Sequence, residues 1–208
     1  MSRLFIKSIN MAKSKNKRKK KKPASPNQMK PLSPKNYIRK IGRKLEILEC
    51  KINDDWQESG LAVIAFVRQK KSGRLVLTSF VVDLKCLGVK QSAYWVDIYN
   101  DFYKEWLSKM SGGMGLNMVN IAPNLTYNII YGAVDYAAAA GFEPHEDYRI
   151  TKYNLAEKET LIPESVTFGG EDGKPLFIAG PYDNSEKIMA TLQRNLGEGN
   201  FNFIAAPF

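Results

Sequence analysis

Two runs, Leu61-Ala-Val-Ile-Ala-Phe-Val67 and Leu75-Val-Leu-Thr-Ser-Phe-Val-Val82, decide how this chain folds. Both are rich in β-branched and aromatic residues. Lys70-Lys71-Ser72-Gly73 lies between them, with a glycine where the chain must reverse. That pattern reads as a β-hairpin. Each run is apolar on both faces, which predicts central strands in a sheet covered on each side. Ile64, Phe66, Phe80 and Val82 are expected in the core, with Leu125 and Ile129 from a helix packed on one face.

Working outward, Leu45 to Ile52 has strand composition and leads into the loop signal Asn53-Asp54-Asp55. Three strands before any long helix predict an antiparallel start. The expected fold is α+β: a largely antiparallel sheet with the hairpin 61–83 at its centre and two or three packed helices. Ile98 to Met110 places Phe102, Trp106 and Met110 on one helical face, and Ser111-Gly-Gly-Met-Gly115 should then break the chain. Pro123 suits a first helical turn, so a second helix is expected from there to Gly141. Its stripe is Leu125, Ile129, Ala133, Tyr136 and Ala140, and Ala137 to Ala140 would let a neighbouring element approach closely.

Beyond it, Ser165–Phe168 and Leu176–Ala179 read as a second hairpin around Gly170-Glu-Asp-Gly173. Asp183 and Glu186 resemble a capping box opening a last helix that turns Ile188, Leu192 and Leu196 inward and stops at Gly197. Phe201-Asn-Phe-Ile204 alternates and would pair as an edge strand. No internal repeat is present.

Charge divides the chain differently. Residues 1–45 hold sixteen lysines and arginines and no acid, which leaves fifteen of the 31 basic residues against all 21 acidic ones in 46–208. The net charge of +10 is therefore a +16 arm on a −6 body. Lys13, Lys15, Lys17, Arg18, Lys19, Lys20, Lys21 and Lys22 fall within ten residues, a density that repels itself and predicts a disordered arm. Pro23, Pro26, Pro31 and Pro34 keep the next stretch extended. Tyr37, Ile41 and Leu45 recur at helical spacing, so a short basic helix carrying Arg39, Lys40, Arg43 and Lys44 would rest one stripe on the body.

Phosphates of RNA or DNA are the natural counterpart, bound through counterion release and without base reading. Solubility, nuclear import and attraction to anionic lipid are the competing readings of such a run. The expected function is a non-enzymatic nucleic-acid-associated protein, with ribosomal RNA favoured. The acidic body would face a protein partner or project away.

The body, 46–208, is large enough for one ordinary core. Two cysteines, Cys50 and Cys86, are too few for a disulfide framework, and Met1-Ser-Arg-Leu-Phe-Ile-Lys7 is too short for an export signal, so a cytoplasmic setting with reduced thiols is expected. Met11 is an alternative start. No segment approaches 18 uninterrupted apolar residues, so no membrane span is expected.

Catalytic chemistry is the alternative class: a small enzyme tethered to nucleic acid by the arm. Cys86 with the single histidine His145, oriented by Asp83 or Asp147, would form a thiol site. Asp55, Asp83 and Asp135 would form a metal-dependent nuclease cluster if they converged. Cys50, Cys86 and His145 with a carboxylate would suit zinc, without the close spacing of strong zinc motifs. Gly112-Gly-Met-Gly115 lacks a following Lys-Ser/Thr and Gly169-Gly-Glu-Asp-Gly173 carries acids that would repel phosphate, so both read as linkers or turns rather than phosphate loops, and no cofactor is expected.

Three groups of residues also carry a likeness. They are Val81-Val82-Asp83-Leu84-x-Cys86-Leu87-Gly88-Val89-Lys90, Gly141-Phe142-x-Pro144-His145-x-Asp147-Tyr148, and Ala179-Gly180-Pro181-x-Asp183. Together with Glu49-Cys50-x-Ile52-Asn53-x-x-Trp56 and Thr167-Phe168-Gly169, they resemble an uncharacterised family of bacterial proteins. The resemblance implies a bacterial setting and no mechanism.

Overall fold

The computed structural model describes residues 31–205. Helix α1 (Pro34–Ile41) passes through a 3-10 turn, Gly42–Lys44, into β1 (Glu46–Asn53). A single helical turn, α2 (Trp56–Ser59), leads to β2 (Leu61–Gln69), β3 (Leu75–Asp83) and β4 (Gly88–Ile98). Next come α3 (Asn100–Met114), β5 (Met118–Asn120), α4 (Pro123–Ala139) and α5 (Tyr148–Thr151). The last elements are β6 (Leu176–Ile178), α6 (Ser185–Leu196) and β7 (Asn202–Ile204).

The main sheet runs β4-β3-β2-β1-β5, with every neighbouring pair antiparallel. This is the expected α+β fold with the expected central hairpin: Ile64 faces Phe80 and Ala62 faces Val82 across it. Strand periodicity sends those four to one face, where they pack with Ile129, Ile130 and Ala133 of α4. Val63, Ala65, Val67, Leu75 and Leu77 go to the other face, under Tyr103, Trp106 and Met110 of α3. The hairpin is apolar on both faces because each face has its own helix. Each such side chain contributes roughly 1.5–3 kcal/mol on burial. Leu125 is only half-buried at the margin of this core.

Helix α1 forms as anticipated, with Ser33 capping it and Pro34 in its first turn. Ile38 is the residue it buries, against Val76 and Ile150, with Tyr37 and Leu45 at the edges. The division of arm from body at residue 45 therefore falls too late, since 34–44 is folded onto the domain.

Four other expectations are corrected. Helix α3 continues through Gly112 and Gly113, because Met114 also packs on the second core, and ends where Gly115 turns left-handed at φ +67°. Strand β4 was not foreseen, because Lys90, Gln91 and Ser92 interrupt its apolar pattern; two of the three are held by tertiary partners, Asp183 and Thr151. Residues 165–168 form no strand, and β6 pairs in parallel with β7 instead. Phe201–Ile204 thus does pair, with an unexpected neighbour. Finally, Asn184 caps α6 by accepting from the Lys187 N–H, while Asp183 is drawn away to Gly180 and Lys90. Among the described residues no helix is long and apolar enough to cross a membrane.

Candidate functional site

The folded part of the basic run lies at the end of the sheet where the β2–β3 hairpin turns. Lys70, in that turn, sits 4.4 Å from the centre of the Tyr37 ring of α1, so helix and turn are neighbours. On the other side of α1, Arg39 lies 6.0 Å and Lys152 5.7 Å from the Tyr153 ring. Arg74, at the base of the turn, stacks 3.3 Å from the centre of the exposed Tyr99 ring. Aromatic rings with cations over them thus flank one basic end.

Its charges fall into two groups. Lys70 and Arg74 are matched by Asp97, with Lys70 Nζ 2.7 Å from the carboxylate, and this pairing holds the Asp97 carboxyl below the usual range. Lys35, Arg39, Lys40, Lys44, Lys71 and Lys152 have no carboxylate within 4.0 Å among the described residues, and all but the half-buried Lys152 are exposed. Arg43 is corrected out of this set. Its Nε donates to the Leu155 carbonyl at 2.7 Å and its Nη1 to Glu157 at 2.6 Å, so it staples the 3-10 turn to the segment after α5. Lys13, Lys15, Lys17, Arg18, Lys19, Lys20, Lys21 and Lys22 lie outside the described residues.

The conditional catalytic groups do not assemble. Cys86 is enclosed by Leu87, Ala140, Phe177 and Leu192 with no exposure, and burial pushes its thiol up to about 12. It is neither a thiolate at neutral pH nor reachable by substrate. Asp83 accepts from the backbone N–H groups of Lys85 and Cys86 at 2.8 and 3.0 Å, which closes the β3–β4 turn. Burial raises its carboxyl, opposed by the Lys90 charge.

His145 is tied into structure: its Nδ1 accepts from the Asp147 N–H at 3.2 Å, and its backbone N–H donates to the Val89 carbonyl at 2.9 Å. Asp55 accepts from the Asn53 amide, and Asp135 pairs with Lys158, so the nuclease carboxylates are engaged separately. Cys50 belongs to the α4-side core, away from the cluster that holds Cys86, which removes the zinc arrangement. Among the described residues no three His, Cys, Asp or Glu side chains converge as metal ligands.

The blocks that carry the family resemblance do meet, around the β3–β4 turn. Val89 and Lys90 hold His145 and Asp183 respectively, and the Gly169 N–H donates to the Leu84 carbonyl at 3.0 Å. Gly88 lies against Ala133 and Ala137 of α4. These contacts are those of a structural hub.

Compared with protein-family models, curated proteins and solved structures, the chain gives no match.

Proposed function

We propose that this is a non-enzymatic protein that associates with RNA, ribosomal RNA foremost, through its basic N-terminal run and the folded basic end that the run joins. The observation that carries this reading is the charge split, sixteen basic residues and no acid in 1–45. It is supported by the unmatched cations of α1 and the 3-10 turn, which stand beside Lys71 and Lys152. Lysines that neutralise phosphates release counterions, so affinity should fall steeply with salt, with a logarithmic slope of about −0.7 to −0.9 per phosphate engaged. The −6 body would be repelled by phosphate, so it faces a protein neighbour or projects outward. A bacterial, cytoplasmic setting fits this reading.

Co-sedimentation with ribosomes at low and high salt tests it. The informative deletion removes residues 1–30, since it spares the Ser33 cap and buried Ile38 of α1. Binding should weaken sharply on deletion, and further when Lys35, Lys40 and Lys71 are changed to glutamine. Unchanged co-sedimentation after both changes would sink the proposal.

A further inference from the structure

Helix α3 covers only part of its face of the sheet. Toward its C-terminal end, Val63 and Val81 form the floor of a pocket of about 330 Å³, with Leu61 at its exposed rim, walled by Trp106, Met110 and Met114 and closed by the 180–183 loop. That volume lies at the lower end of the ~300–1,000 Å³ of small-molecule sites, which are mostly apolar with a few placed polar groups. Here the polar groups are Ser79 and Gln91, both buried, and Trp106, whose indole N–H has no hydrogen-bond partner among the described residues. Buried groups of this kind are normally satisfied. At the mouth, Lys90 Nζ lies 2.8 Å from Asp183 Oδ2, so among the described residues the charges lining the pocket cancel.

We infer that this pocket is a binding site for a small, uncharged, largely apolar molecule that carries one hydrogen-bonding group, such as an amide or hydroxyl, directed at Ser79 and Gln91. The class follows from three features together. The apolar walls demand an apolar body. Ser79 and Gln91, each both donor and acceptor, and the unpartnered Trp106 N–H demand a polar group at one end. The internally neutralised ion pair offers a charged ligand no uncompensated partner, so a charge would be desolvated for nothing. This site is separate from the basic end and stands whether or not RNA binds there.

The full chain titrated with N-phenyl-1-naphthylamine, an uncharged fluorophore, tests the site. Saturable enhancement at one probe per chain is expected, together with quenching of tryptophan emission. Octanamide should displace the probe at least about tenfold better than octanoate, and Gln91→Leu should remove most of that preference. Val81→Trp fills the floor and should abolish probe binding. If it does not fold, Leu61→Trp at the more exposed rim takes its place. Absence of saturable binding, binding untouched by either filling variant, or octanoate competing as well as octanamide overturns the inference. So does a chain that binds no probe because it dimerises over this face and becomes monomeric with Leu61→Trp.

Discussion

Arg68 Nε donates to the carbonyl of Asn154 at 2.8 Å, from a central strand to a turn 86 residues further along the chain. The same guanidinium reaches the Leu45 carbonyl through Nη1 at 2.5 Å, and it is almost wholly buried over the Phe66 ring. Among the described residues it has no carboxylate within 4.0 Å. A buried cation is thus held by backbone carbonyls and an aromatic face, and it ties the entry of β1 and the turn after α5 to the sheet. Thr78 and Ser92 extend the seam: Asn154 Nδ2 donates to Thr78 Oγ1 at 3.1 Å, and the Ser92 and Thr151 hydroxyls lie 2.6 Å apart.

Arg68→Leu should therefore destabilise the domain by about 2–4 kcal/mol, since one buried and one partly buried carbonyl lose charge-assisted donors. Arg68→Lys should recover little, because an ammonium cannot present two N–H groups in a fixed fork. Urea unfolding followed by tryptophan fluorescence measures both. A midpoint unchanged in Arg68→Leu would mean that the seam contributes nothing.

Phe66 is without solvent exposure, its ring 5.5 Å from that of Tyr127. Phe66→Ala should cost roughly 3–5 kcal/mol, the range for a buried aromatic replaced by a cavity. Lys19→Ala should leave the melting temperature unchanged and weaken polyanion binding slightly. Thermal melts in which Lys19→Ala proved the more damaging would contradict the placing of the core.

Gly88 has φ +65°, and a Cβ there would stand 2.7 Å from Ala137 Cβ and 2.8 Å from the Ala133 carbonyl oxygen. Gly88→Ala combines a left-handed backbone with a steric clash and should cost at least about 2 kcal/mol. Ala137→Gly in the same chain relieves the contact with the methyl alone, so only a fraction of the loss should return. Calorimetry of the single and double variants separates the two causes, and full recovery would exclude the backbone contribution.

Burial pushes the thiols of Cys50 and Cys86 up to about 12, above the ordinary value near 8.5. The unfolded chain deprotonates first. The thiols' contribution to stability is therefore complete below about pH 8.5 and is lost as pH rises toward about 12. Chemical unfolding at stepped alkaline pH should show a steeper decline in the natural chain than in Cys86→Ala. Thiol titration at pH 8 should find neither cysteine reactive until denaturant is added. A fast-reacting thiol in the folded protein would contradict the enclosure of Cys86.

The amino-acid order alone determined the α+β class, the 61–83 hairpin, the long helix at 123–139 and the charge split, because each rests on local periodicity, turn chemistry or composition. That Arg39, Lys40 and Lys44 belong to a basic run was legible for the same reason. Tertiary structure alone decided what each side chain is used for. Arg43 and Arg39 sit one helical turn apart in the same basic run, yet a carbonyl and a glutamate more than a hundred residues away turn Arg43 into a staple. Cys86, Asp83 and His145 carry reactive groups, but enclosure, a turn and a loop contact consume them. Strand β4 and the parallel β6–β7 pair were hidden because their stability comes from partners distant in the chain. The pocket beneath α3 was hidden too, since it is formed by where a helix stops relative to a sheet, and no local pattern encodes that distance.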